Sequence, residues 1–134
     1  MKRQKLYIPE YKWKVYVYYN TTPYDTDELT HKLYSLGCSE DSILRACKQL
    51  LGGEYNNGFT YTNRVLKRSV VSLGRSSDFP QFLNSFVHEL HHLSTHIAQA
   101  NGIRLDGEEI CYLSGSIAQK MYPILVHYLT RCRL

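Results

Sequence analysis

Residues 78–102 read DFPQFLNSFVHELHHLSTHIAQANG, and this stretch decides the fold. Asp78, or Ser77 before it, is placed to cap a helix. Pro80 falls in the first turn, where a missing backbone N–H is tolerated, and Asn101-Gly102 is a C-terminal stop. Between these signals Leu83, Phe86, Leu90, Leu93 and Ile97 recur at helical spacing. On a wheel advancing about 100° per residue they lie roughly 140° to 220° from His88, which makes an apolar face for a core. With His88 at zero, His92 falls at about 40° and Glu89 at about 100°, so a second arc carries polar chemistry.

Upstream, Tyr11 to Tyr19 (YKWKVYVYY) mixes β-branched and aromatic residues with partial alternation, which predicts a strand with Tyr11, Trp13, Val15, Val17 and Tyr19 on one face. Asp25-Thr26-Asp27-Glu28 has the form of a capping box. It precedes Leu29, Leu33 and Leu36 at helical spacing, with Gly37 as the stop. Ser39 is placed to cap a second helix carrying Ile43, Leu44, Cys47, Leu50 and Leu51 and ending at Gly52-Gly53. Asn56-Asn57-Gly58 is turn chemistry; Phe59 to Thr62 and Val65 to Leu73 then read as two strands of a hairpin, separated by Asn63 and Arg64. Downstream, Asp106-Gly107-Glu108-Glu109 opens a last helix expected to kink or break near Tyr122-Pro123. The layout predicts one α+β domain over residues 1–134, with a small antiparallel or mixed sheet.

Composition narrows the classes. Hydrophobic residues make up 43% and charged residues 21%, an ordinary globular balance that argues against disorder. There is no apolar run long enough to span a membrane, and Met1-Lys2-Arg3-Gln4-Lys5 leads into no apolar signal region, so a cytoplasmic protein is expected. Cys38, Cys47, Cys111 and Cys132 contain no CxxC pair and read as reduced core thiols. The net charge of +4 is modest and most basic residues are scattered along the chain, so nucleic acid is not the expected partner.

The chemistry resides in His88-Glu89-Leu90-His91-His92, an HExxH pattern. Two histidines one helical turn apart are near enough for both imidazoles to take one tetrahedral ion. The intervening glutamate stands beside them, where it can take a proton from water activated by zinc. His91 projects away from the pair, and His96 lies about 12 Å along the axis from His88, so neither joins both histidines on one ion. A catalytic zinc needs a third protein ligand and an open position. Glu109 is the favoured candidate and Glu108 the competitor, because consecutive helical residues diverge by about 100° and only one can face the metal. Glu109 completing a capping box with Asp106 is the reading that needs no metal. Tyr112, one turn after Glu109, is placed to donate to a developing oxyanion, and core packing explains it equally well.

HELHH followed by an acidic residue sixteen or seventeen positions later resembles the gluzincin metallopeptidases, where two histidines and a glutamate from a following helix bind zinc. The stretches GFTYTNRVLKRSVVSLG, FLNSFVHELHHLSTHI and DGEEICYLSGSIAQKMY, about residues 58–122, are similar to small metallopeptidases encoded by phages and mobile elements of Bacteroides-type bacteria. In peptidases of the ImmA/IrrE type the glutamate ligand begins an E-A-N-x-F-A segment, to which Glu109-Ile110-Cys111-Tyr112-Leu113-Ser114 corresponds in its glutamate and its apolar spacing. The resemblance implies a minimal zincin-like domain, Zn2+ as cofactor and a peptide or protein substrate. It also implies that the strand before the motif helix, here Val65 to Leu73, is the rim on which an extended peptide pairs. The competing expectation is a non-catalytic binding module on the same scaffold, engaging a host protein or nucleic acid through the basic, aromatic segment Lys2 to Tyr19.

Overall fold

A computed structural model describes residues 1–51 and 58–130. The fold is α+β: a four-stranded mixed sheet with four helices. The strands are β1 (Lys2–Ile8), β2 (Trp13–Thr21), β3 (Gly58–Asn63) and β4 (Arg68–Gly74), and the helices α1 (Thr26–Ser35), α2 (Glu40–Leu51), α3 (Phe79–Ala100) and α4 (Glu108–Leu125). The strand order is β1-β2-β4-β3; β2 and β4 are parallel, and the two outer pairs antiparallel.

Alternation along β2 sorts the core into two halves. Trp13, Val15, Val17 and Tyr19 join Val71, Leu73, Phe82, Phe86, Leu93 and Ile97 in a cluster with α3 and α4. Tyr18 and Val70 on the opposite face pack with Leu29, Leu33 and Leu36 of α1 and Ala46 and Leu50 of α2. Helix α4 turns Leu113, Ile117, Met121 and Leu125 inward, one per turn. It closes on the first strand, where the Gln4 side-chain amide donates to the Lys120 carbonyl at 2.9 Å.

Strand β1 is not foreshadowed by the sequence pattern. KRQKLYI carries four polar residues in its first half, but it pairs along its whole length with β2 and buries only Leu6 and Ile8. Tyr11 therefore belongs to the turn between the two strands, where Lys12 adopts φ 53°. The expected division at Asn63-Arg64 moves as well. Asn63 ends β3, and its side-chain oxygen accepts from the backbone N–H groups of Val65 and Leu66, both at 3.0 Å. That Asx turn draws Val65 to Lys67 out of the strand, and Val65 is almost fully exposed.

The cap of α3 forms as expected, with Asp78 Oδ1 accepting from Gln81 N at 2.8 Å. Its buried face is rotated slightly from the expected one: Phe82 and Phe86 are buried, whereas Leu83 is exposed. The expected box at Asp25 to Glu28 is replaced by one a turn earlier, in which the Asp25 carboxylate accepts from Thr22 N. Leu44 and Leu51 of α2 are exposed rather than packed. Helix α4 continues through Pro123 and ends at Leu125, two residues beyond the expected break. Cys38 is a buried free thiol, but Cys111 is exposed rather than a core residue. The predicted stop at Gly52-Gly53, most of the Asn56-Asn57-Gly58 turn and Cys132 lie outside the described residues. Among the described residues no helix is long and apolar enough to cross a membrane.

Candidate functional site

The midpoint of α3 crosses the sheet beside β3, the edge strand. Register places Gly58, Thr60 and Thr62 on the α3 side, because they pair with Leu73, Val71 and Ser69, which face that half of the core. Each of the three has a specific relation to the motif helix or its surroundings.

His88 and His92 stand one turn apart on the exposed face of α3, with Nε2 to Nε2 at 3.2 Å and ring planes at 73°. Two nitrogen ligands at about 2.0–2.1 Å from a tetrahedral ion lie about 3.3 Å apart. The observed separation is that of a hydrogen bond between the two rings and is also compatible with two nitrogens on one zinc ion, for which imidazole is better suited than for calcium or magnesium. Glu89, on the same turn, is packed against β3 and is only 4% exposed. Its Oε1 accepts from the Thr60 hydroxyl at 2.8 Å. A Cβ on Gly58 would lie 3.1 Å from Glu89 Oε2 and 2.5 Å from the Ser72 carbonyl oxygen, so the glycine makes room for the carboxylate.

His96 is tied into the sheet. Its Nδ1 is 2.9 Å from Thr62 Oγ1, which lies 2.7 Å from Ser69 Oγ, which in turn accepts from Trp13 Nε1 at 2.9 Å. Burial, reinforced by His92 and Arg64, pushes its pKa below the ordinary histidine value and favours the neutral ring. His91 is exposed.

Glu108 and Glu109 occupy the first turn of α4, both exposed, after an N-cap at Gly107. Asp106 is engaged by Arg104 at 3.0 Å, so the box of Asp106 with Glu109 does not form. The Tyr11 hydroxyl has its pKa raised by burial and further by the charge of Glu109. Ser114 Oγ donates to Ser94 Oγ at 2.8 Å, joining α4 to α3. Tyr112 is 74% exposed. The fold thus brings His88, His92 and Glu89 together with Gly58 and Thr60, and among the described residues no three His, Cys, Asp or Glu side chains converge into one metal-holding group. The sequence motif does not single out Thr60, Thr62 or Gly58; the available signal is a glycine at a strand start followed by alternating threonines.

Strand β4 is flanked on both sides, by β2 and β3. The rim expected along Val65 to Leu73 therefore cannot receive a peptide along β4, and among the described residues the unpaired edge beside the motif belongs to β3. Compared with known proteins, the chain matches no family model, no curated protein and no solved structure.

Proposed function

We propose that the protein is a zinc-dependent peptidase, with His88, His92 and Glu109 as metal ligands and Glu89 as general base. The observation that carries this reading is the 3.2 Å separation of two imidazole Nε2 atoms on the turn that also carries a buried carboxylate. Zinc held there supplies Lewis acidity that activates water at neutral pH and polarises a carbonyl.

The chain's own residues divide the rest of the work. Thr60 fixes the Glu89 carboxylate by donating to Oε1, and no side chain among the described residues donates to Oε2, which keeps its lone pairs for the proton of the attacking water. Glu109 makes no hydrogen bond or ion pair among the described residues, so its carboxylate is available as the third ligand that the gluzincin pattern implies. Glu108 is equally uncommitted. Tyr112 is the donor proposed for the oxyanion. The outer edge of β3 offers backbone groups to an extended peptide, which would run next to Thr60 and Glu89. The competing reading, a scaffold without catalysis, is favoured by the exposed position of Glu108 and Glu109.

Metal analysis of the purified chain combined with a mixed-peptide hydrolysis assay tests this. One zinc per chain is expected; Glu89→Gln keeps the metal and abolishes cleavage, and His88→Ala loses both. Protein without stoichiometric zinc, whose behaviour His88→Ala leaves unchanged, would rule the peptidase out.

A further inference from the structure

The helices leave one corner of the sheet bare on the side away from α3. Helices α1 and α2 cover Tyr18, Val70, Phe59 and Tyr61. Toward β1 and the Trp13 end of β2 the register instead lays out a chequerboard: Tyr7 pairs with Lys14, Lys14 with Arg68, and Lys5 with Tyr16. Lys32 reaches down from α1 so that its ammonium lies 3.4 Å from the Tyr16 ring centroid, and Lys5 approaches the same ring at 5.7 Å. Tyr7 is half exposed. The two turns at this end add Lys12 and Lys67, with Glu10 their one acidic residue, and Lys14 N donates to Lys67 O at 3.1 Å.

Six cations therefore collect on one corner. Without them and Glu10, the remaining ten basic residues face eleven acidic ones, so the positive excess of the chain resides here. None of the six has an ion-pair partner among the described residues; Glu28, at the neighbouring end of α1, is held by Arg3. Lys14 beside Arg68 is a like-charge cross-strand pair, which is unfavourable in isolation. Lys12 and Lys67 both occupy left-handed backbone, φ 53° and 55°, where glycine or asparagine would be less strained. The clustered repulsion disfavours the isolated fold and is relieved by a bound polyanion, and the left-handed positions hold lysine where an uncharged glycine would be easier to accommodate.

We infer that this face binds single-stranded nucleic acid, with phosphates on Lys5, Lys14, Lys32 and Arg68 and a base stacked on Tyr7. Interleaved aromatic and cationic side chains on an open sheet suit a single strand, because every base offers a π face and every linkage a charge. The face is on the opposite side of the sheet from α3, which carries His88 and His92, so the inference is independent of the peptidase reading.

Fluorescence anisotropy with labelled 15-nucleotide oligothymidylate and oligouridylate tests it on the full chain. Four phosphate contacts give a slope of log K against log salt of about −3, or roughly fiftyfold weaker binding at 200 mM than at 50 mM salt. The double variant Lys14→Glu/Arg68→Glu is expected to bind at least about tenfold more weakly, because it turns two of the four phosphate partners into repelling charges. Tyr7→Ala should weaken binding without changing the slope. Lys12→Gly/Lys67→Gly separates binding from folding, because it should weaken binding while leaving the melting temperature as high or higher. Binding should survive chelation of zinc. The inference is overturned by absence of binding at 50 mM salt, by equal weakening in the control Arg45→Glu/Lys48→Glu on α2, or by polyglutamate competing as well as the oligonucleotide.

Discussion

Replacing Gly58 with alanine discriminates sharply, because its sign runs against the general rule. A glycine inside a strand or helix ordinarily costs about 0.5–1 kcal/mol relative to alanine, so the substitution would be expected to stabilise. At position 58 the new Cβ would lie 2.5 Å from the Ser72 carbonyl oxygen, about 0.8 Å short of an ordinary carbon-to-oxygen approach. That oxygen is backbone and cannot rotate away, and the next atoms met are Glu89 Oε2 at 3.1 Å and Cγ at 3.2 Å. Overpacking of this kind costs about 1–3 kcal/mol, which for a chain of this length lowers Tm by roughly 4–12 °C. Gly115 is the control: it sits on the exposed face of α4 with nothing within 4 Å of an added Cβ, so Gly115→Ala should stabilise by about 0.5–1 kcal/mol. Urea unfolding followed by the single tryptophan measures both. A Gly58→Ala protein as stable as the parent, or more stable, would refute the close packing of Gly58 against the Ser72 carbonyl and Glu89.

Thr62→Val keeps the shape of the strand but removes the hydroxyl between His96 and Ser69; the unpaired ring nitrogen should cost about 1–3 kcal/mol, and an unchanged urea midpoint would sink the network. The Arg3–Glu28 pair predicts a small acid effect. Arg3 holds the Glu28 carboxyl below its ordinary value of 4.5, so the contribution is present above that pH and is lost as pH falls through the lower folded value. Glu28→Gln should flatten that part of the stability profile, and 1 M salt should shrink it because both side chains are largely exposed; a profile identical to the parent's at low salt would contradict this.

What can be read from the sequence is what is local. The α3 helix announces itself through Asp78, Pro80 and a 3.6-residue period, and the donors His88, Glu89 and His92 need only helical geometry to be placed together. What escapes depends on register. Strand β1 lacks apolar alternation in Lys2 to Lys5 because those residues line the sheet's outer edge, and partnership with β2 rather than propensity makes it a strand. Chain order suggests β4, the strand nearest the motif helix, as the free rim, whereas parallel pairing with β2 places that strand inside the sheet. Thr60 and Gly58 lie some thirty residues before Glu89, and only the β3–β4 hairpin brings them beneath it. The basic corner is invisible for the same reason: Lys5, Lys14, Lys32 and Arg68 look scattered along the chain and become neighbours only across strands and over a helix.

The hydrogen bond from Gln4 to Lys120 has a consequence in time. The strands β1 and β2 are adjacent in sequence and can close early as a hairpin, but the parallel neighbour of β2 lies some fifty residues further along the chain. The apolar face of β2 is covered only when α3 and α4 pack against it. Such distant pairings are slow to nucleate, because a long loop must close before any contact compensates for it. Trp13, Val15 and Val17 therefore stay exposed during folding until α3 and α4 dock on them, which makes the β1–β2 hairpin a segment prone to aggregation before the helices pack.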